Sequence, residues 1–317
     1  MKVTEHLAQA NKTLISFEVL PPLKGKTSES LYELIDGLME FKPPFINVTY
    51  HRSEYIYKKN KYNNFNKVVV RKRPGTVGVC AAIQYKYGVD AVPHLICGGF
   101  TKDTTEDALI DLNFLGINNV LALRGDAIKS ESFFQPEEGG HNYASELVEQ
   151  VMDMNKGKYL AEELKNAHCT DFCIGVAGYP EKHAEAPNKK TDLKWLKHKV
   201  DLGAEYIVTQ MFFNNQSYFD FVKDCRNIGI TVPIIPGIKP LTTKKQITAI
   251  PRIFNVDIPE ALAEEIEKCN NNADVKLVGT EWCIQQSKEL LEFGAPVLHY
   301  YTMGKISTFQ KIAKAVF

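Results

Sequence analysis

Ile15-Ser16-Phe17-Glu18 runs into Pro21-Pro22, and Val120-Leu121-Ala122-Leu123-Arg124 runs into Gly125-Asp126. Each stretch is a short apolar run that stops on or beside a carboxylate, and proline or glycine prevents the strand from continuing. Working outward, the same unit recurs. Leu14–Val19, Phe45–Thr49, Ala91–Cys97, Asn119–Leu123, Cys173–Ala177, Tyr206–Gln210, Val232–Pro236 and Pro296–Tyr301 read as eight short buried strands. Helical patterns separate them at 30–41, 103–115, 143–154, 192–202, 217–227 and 243–250, with further helices over 259–270, 274–293 and 307–316. The segment 60–87 reads as a helix interrupted at Pro74-Gly75.

Strands alternating with helices imply a parallel sheet covered on both faces. Eight such units, with no linker or low-complexity break, predict a (β/α)8 TIM barrel in which residues 1–317 form one catalytic domain with extra helices. The rival is an open doubly wound sheet, which usually carries a glycine-rich turn after its first strand. Here Glu18-Val19-Leu20-Pro21-Pro22 occupies that turn. Gly25-Lys26-Thr27 imitates the end of a phosphate-binding loop, but Leu20 stands where its first glycine belongs and the two prolines remove backbone donors.

The 317 residues are 44% hydrophobic and 24% charged, with formal net charge +0. That balance gives no reason to expect nucleic acid or an anionic membrane as partner. No run approaches the roughly 18 apolar residues of a membrane span, and Met1–Asn11 lacks the apolar core of a signal peptide. Seven scattered cysteines fit a reducing cytoplasm, and Cys169 and Cys173 alone do not make a metal site.

In a barrel all strand C-termini point to one rim, where catalysis gathers. Glu18, Thr49, His94, Asp126, Tyr179, His183 and Gln210 lie there. Singly each has a bland reading: Glu18 pairing with a lysine, His94 a satisfied core histidine, Arg124 paired with Asp126. Asp192, Trp195 and Lys199 share one helix face, which is either solvated or set beside a cofactor with Lys199 near phosphate. Tyr206–Phe213 places Gln210 before an apolar aromatic lip, suited to a flat conjugated ligand or to plain core.

Read together, these segments resemble the methylenetetrahydrofolate reductase family. The carriers are Phe17-Glu18-x-x-Pro21-Pro22, Val48-Thr49-Tyr50, Pro93-His94-Leu95, Ala122-Leu123-Arg124-Gly125-Asp126, Tyr179-Pro180-Glu181-x-His183-x-Glu185-Ala186, Thr209-Gln210-x-Phe212-Phe213 and Ile235-Pro236-Gly237-Ile238. They run in order from about Leu14 to Lys305.

The resemblance implies non-covalent FAD at the strand C-termini, reduced by NADH or NADPH. Folate then takes the same face in a ping-pong sequence, and 5,10-methylenetetrahydrofolate becomes 5-methyltetrahydrofolate. It implies Glu18 as general acid, its pKa raised by burial, and Asp126 as the acid beside flavin and pterin. Gln210, Gln246, Lys305 and Thr49 match substrate positions. For FAD the matches are Thr49, Tyr50, His94, Arg124, Gly125, Asp126, Tyr143, Ala144, Tyr179, His183, Ala186, Asp192, Trp195, His198 and Lys199.

The chain departs from the family at His51, at His198, where a second basic residue is common, at Lys305, where arginine is frequent, and in the longer loop 129–141. A chain ending at the barrel resembles the bacterial members, without the S-adenosylmethionine-sensing domain of animal and fungal enzymes. Homo-oligomers are the expectation from relatives. The alternative function is a flavin-binding barrel subunit of a redox complex, with no folate reductase activity of its own.

Overall fold

The computed structural model describes residues 1–128, 131–161, 164–302 and 306–317. Nine parallel strands stand side by side: β1 (Leu14–Val19), β2 (Phe45–Val48), β5 (Asp90–Ile96), β6 (Asn119–Leu123), β7 (Cys173–Gly178), β8 (Tyr206–Thr209), β9 (Ile234–Ile235), β10 (Gly237–Ile238) and β11 (Val297–Tyr301). Their order is β10-β11-β1-β2-β5-β6-β7-β8-β9. Since β9 and β10 are one strand interrupted at Pro236, the ring is an eight-unit (β/α)8 TIM barrel. The Ile207 N–H donates to the Pro233 carbonyl (2.9 Å) and the His299 N–H to the Pro236 carbonyl (3.1 Å), so both neighbours hold the broken strand.

Gly237 sits where the ring closes, on the strand that pairs with β11. A Cβ there would lie 2.3 Å from the Thr209 carbonyl oxygen and 2.4 Å from the Tyr301 hydroxyl, so only glycine fits.

The outer ring comprises α2 (Glu29–Asp36), α3 (Thr76–Tyr87), α4 (Lys102–Phe114), α5 (Ala144–Asn155), α6 (Lys189–Asp201), α7 (Asn215–Asn227), α8 (Gln246–Phe254), α9 (Glu260–Glu267), α10 (Asn272–Phe293) and α11 (Ile306–Val316). Alternation along the strands sorts their side chains. Ile15, Phe17 and Val19 pack outward beneath the helices. Phe45, Val92, Leu121, Tyr206 and Val297 fill the lower barrel interior. A third cluster, around Leu241, Ile250 and Ile266, seats the added helices α8 and α9 against α10.

The bottom of the barrel is plugged by α1 (Val3–Gln9), a helix the sequence pattern does not predict. Val3 is fully buried, and its N–H donates to Asn119 Oδ1 at 2.8 Å.

The second difference lies between β2 and α3. Residues 60–70 are not helical: β3 (Glu54–Lys59) and β4 (Phe65–Val70) form an antiparallel hairpin, paired in register from Glu54↔Val70 to Lys59↔Phe65. The cause is local. Tyr55, Tyr57, Val68, Val69 and Val70 favour extended backbone. Asn60 Oδ1 accepts the N–H groups of Tyr62 and Asn64, closing the turn.

Candidate active site

Along the barrel interior, apolar side chains give way to polar ones near the C-terminal rim. Ser16, Asn47, His94 and His299 are all buried there. Ser16 Oγ and His299 Nδ1 lie 2.8 Å apart, on paired residues of β1 and β11. Asn47 Nδ2 approaches His94 Nε2 at 3.4 Å. Asn47 Oδ1 and His299 Nε2 have no hydrogen-bond partner among the described residues, so this layer carries unused polar capacity beneath the rim.

Glu18 sits directly above, with its side chain 12% exposed and Oε2 3.7 Å from His94 Nε2. Burial raises the Glu18 pKa to about 7, against the opposing charge of Lys239. Burial, followed by His299 and His51, lowers His94 to about 3. The Glu18–His94 contact is therefore not an ion pair at neutral pH. It is a neutral imidazole beside a carboxyl group that shares its population between protonated and ionised forms. The Glu18 backbone carbonyl accepts from Thr302 Oγ1 (2.7 Å), which fixes the strand end. Thr49 belongs to the same corner, its hydroxyl donating to the Val19 carbonyl at 2.9 Å.

The second corner is built by β6, β7 and α6. Gly125 turns the chain at φ +83°, a backbone that L side chains rarely adopt, and sets Asp126 on the exposed surface. Arg124 pairs with Glu185 through two contacts of 2.5 and 2.7 Å, not with Asp126, and its guanidinium lies 5.0 Å from the Phe134 ring centroid. Tyr179 and His183 meet edge to face at 4.7 Å. Asp192 Oδ2 accepts the His183 N–H at 2.9 Å. Lys199 donates to the Ala177 carbonyl at 2.7 Å, and burial lowers its pKa to about 8 while Asp192 opposes the shift. Ala186 closes the loop, its N–H donating to the His183 carbonyl and its own carbonyl accepting from Lys182.

Other expected residues lie at the edges. Gln210 follows β8, with its N–H bonded to the Gly178 carbonyl and its Oε1 accepting from the Met211 N–H. Gln246 Oε1 accepts the N–H groups of Thr242 and Thr243 (2.6 and 2.9 Å), so this side chain ties the start of α8. Tyr50 rests against Phe100 at 4.9 Å. Tyr143 and Ala144 open α5, with Tyr143 exposed. Trp195 is 57% exposed and meets His198 edge to face on the outer side of α6. Lys305 lies outside the described residues, as do Lys129 and Ser130 of the long loop.

Tyr301, at the end of β11, links the corners. Its hydroxyl lies within electrostatic reach of Glu18, has Tyr179 as a second neighbour, and donates to the Thr209 carbonyl at 2.6 Å. The rim residues expected from the sequence come from the first six strands, and the eighth supplies one as well. The rim rule that found Glu18 would have found Tyr301 and, one layer down, His299. Among the described residues no cluster of three metal-ligating side chains occurs.

The fold and rim define a TIM barrel with a buried acid at the end of β1, Glu18, that can hold its proton near neutral pH, a second such carboxyl, Glu181, in the loop after β7, and a separate cationic and aromatic corner. The chain belongs to the methylenetetrahydrofolate reductase family, whose pattern it matches over residues 2–316. It is 33% identical over 292 residues to 5,10-methylenetetrahydrofolate reductase of Escherichia coli (strain K12), covering 92% of this chain and 86% of that protein. It is 32% identical over 314 residues to a probable methylenetetrahydrofolate reductase (NADPH) of Caenorhabditis elegans, covering 98% of this chain. It spans less than half of that longer relative, 43%, and 48% of methylenetetrahydrofolate reductase 2 of Saccharomyces cerevisiae. Among solved structures, an uncharacterised Clostridium thermocellum protein that binds two copies of 5-methyl-5,6,7,8-tetrahydrofolic acid superposes with TM-score 0.59 at 15% identity. That match covers 99% of this chain and 98% of the other. At this identity the likeness speaks for the fold alone.

Proposed function

We propose that this chain catalyses the reduction of 5,10-methylenetetrahydrofolate to 5-methyltetrahydrofolate, with FAD as cofactor, NADH or NADPH as reductant and a ping-pong order. The observation that carries the reading is Glu18: a carboxyl at a strand end, over a neutral histidine, with its pKa raised to about 7. Opening the five-membered ring of the folate requires a proton on N10. A carboxyl that holds its proton near neutral pH can supply it, and an ordinary surface glutamate cannot. Asp126, exposed at the rim, would face the positive charge that ring opening leaves on the substrate. Family membership supports the substrate assignment.

The residues of the second corner fit FAD in donor chemistry. Arg124 and Lys199 supply cations for a pyrophosphate, and Tyr179 with His183 supplies ring surface. Asp192 keeps one carboxylate oxygen beyond the bond to the His183 N–H, enough to accept from a ribose hydroxyl. When bound, FAD would carry hydride between the nicotinamide and the folate methylene carbon. Arg124 would exchange Glu185 for phosphate, and Gln210 would orient the pterin.

The test is an anaerobic separation of half-reactions with Glu18→Gln. Reduction of the flavin by NAD(P)H should persist within about threefold, whereas transfer to folate should fall by at least the ~10²–10⁴ associated with a general acid. Equal loss in both half-reactions would remove Glu18 from the acid role. Purified protein that binds flavin but turns over no folate would favour the barrel-subunit alternative.

A further inference from the structure

The hairpin β3–β4 and its exit strand stand apart from the rest of the molecule in charge. Between Glu54 and Arg73 there are seven lysines and arginines and one carboxylate, a formal charge of +6 in a chain whose total is +0. The one carboxylate, Glu54, is already paired with Lys72 at 2.5 Å. Lys58, Lys59 and Lys61 are exposed and have no carboxylate partner among the described residues. The two strands pair only with each other and form a sheet separate from the barrel.

The base of the hairpin, in contrast, is fastened to the mouth of the barrel. Arg73 donates to the carbonyl of Pro21, three residues beyond Glu18. The Lys24 N–H, in the same loop, donates to the Lys72 carbonyl at 2.7 Å. His51, two residues after Thr49, lies within electrostatic reach of both Arg73 and Asp126. A cavity of about 620 Å³ opens at this base, with Tyr50, Phe100, Ser28 and Arg71 among its lining residues. Cations thus run from the edge of the site, through Arg71, to the hairpin tip.

A strand pair of six residues per arm is roughly 20 Å long, and like charges spread along it repel one another and any second hairpin laid against it. Such a surface attracts an extended chain of carboxylates. Folates carry one at the end remote from the pterin: glutamate, extended by γ-linkage into an oligomer with a free carboxylate on each unit. We propose that the hairpin β3–β4 and the cavity at its base form a subsite for the acidic γ-linked oligoglutamate tail of the folate substrate. Arg71 takes the carboxylate nearest the pterin end, and Lys58, Lys59 and Lys61 take those further along. This rests on the folate reading above.

The experiment compares the full chain with the triple variant Lys58→Ala, Lys59→Ala, Lys61→Ala, using mono- and pentaglutamyl methylenetetrahydrofolate at low salt. Each exposed lysine–carboxylate pair is expected to contribute roughly two- to fivefold in affinity, so the wild-type KM should be about tenfold or more lower for the pentaglutamate. In the variant this ratio should shrink to about twofold, and in the wild type it should shrink as salt screens the pairs. The kcat with monoglutamate should be unchanged. Equal KM ratios in the two proteins would overturn the proposal.

If neither protein turns over any folate, the reductase reading fails and the subsite is judged separately, by equilibrium dialysis with free penta-γ-glutamate. Binding by the wild type and its loss in the variant would sustain the subsite, and no binding by the wild type would overturn it. Equal binding of inorganic triphosphate would also overturn it, as would a change in sedimentation between the two proteins, which would make the hairpin a contact between copies.

Discussion

Glu18 is the residue on which the proposed chemistry turns, and its pKa has a second consequence. In the unfolded chain the carboxyl loses its proton at about 4.5, whereas in the folded protein it keeps it to about 7. Between those values the native state binds more protons, so stability falls as pH rises and levels off above about 7. Glu18→Gln removes that dependence. Its stability relative to the wild type should rise by about 3 kcal/mol between pH 4.5 and 8, the equivalent of the shift at 1.36 kcal/mol per pKa unit. Urea titrations at the two pH values measure it, and parallel stability profiles would show that burial does not hold the proton on Glu18. If Glu18 is the proposed acid, the folate half-reaction should also slow as pH passes 7.

At the level of elements, α1 deserves separate weight because it closes the barrel floor. Asn119 accepts the Val3 N–H and donates to the Met1 carbonyl from the start of β6. Asn119→Ala leaves a buried N–H without a partner and should destabilise the fold by about 1–3 kcal/mol, read as a lowered urea midpoint. No loss would mean that α1 is held by apolar contact alone. The sequence signalled the eight barrel strands because each is a short apolar run bounded by turn residues, with β1 and β6 recovered to the residue. It did not signal α1, whose seven residues are too few to show a helical period. The helix expected from residue 60 onward gives way to the turn and second strand of the hairpin over 60–70, where lysines and asparagines mask the extended preference of Val68, Val69 and Val70. Strand ends alone place Glu18, His94, Tyr179 and His183 at one rim, and helix spacing puts Asp192 and Lys199 on one face of α6; any role for them comes from the resemblance, not from spacing. Partner choice was not legible: Arg124 selecting Glu185 over Asp126 depends on how the loop after β7 folds back, and no local pattern records that.

Across the whole molecule, the cysteines report how completely the layers close. Cys80, Cys97, Cys173, Cys225 and Cys283 are buried, Cys269 is intermediate and Cys169 is exposed. Burial also raises the thiol pKa of all five buried residues. A thiol reagent applied to the native protein should modify Cys169 rapidly and Cys269 slowly, and the other five only on unfolding. Prompt reaction of a third cysteine would show that a helix lifts from the barrel.

The β3–β4 hairpin also bears on how this barrel can change over time. Its turn is closed by Asn60, and among the described residues its strands pair with each other and its backbone is tied to the barrel at its base. A segment so self-contained is modular: it can be lengthened, re-charged or lost without re-solving the packing of the strands beneath it. Substrate preference and barrel stability are then free to drift independently, one in the sequence of a surface appendage and the other in the layers of the core.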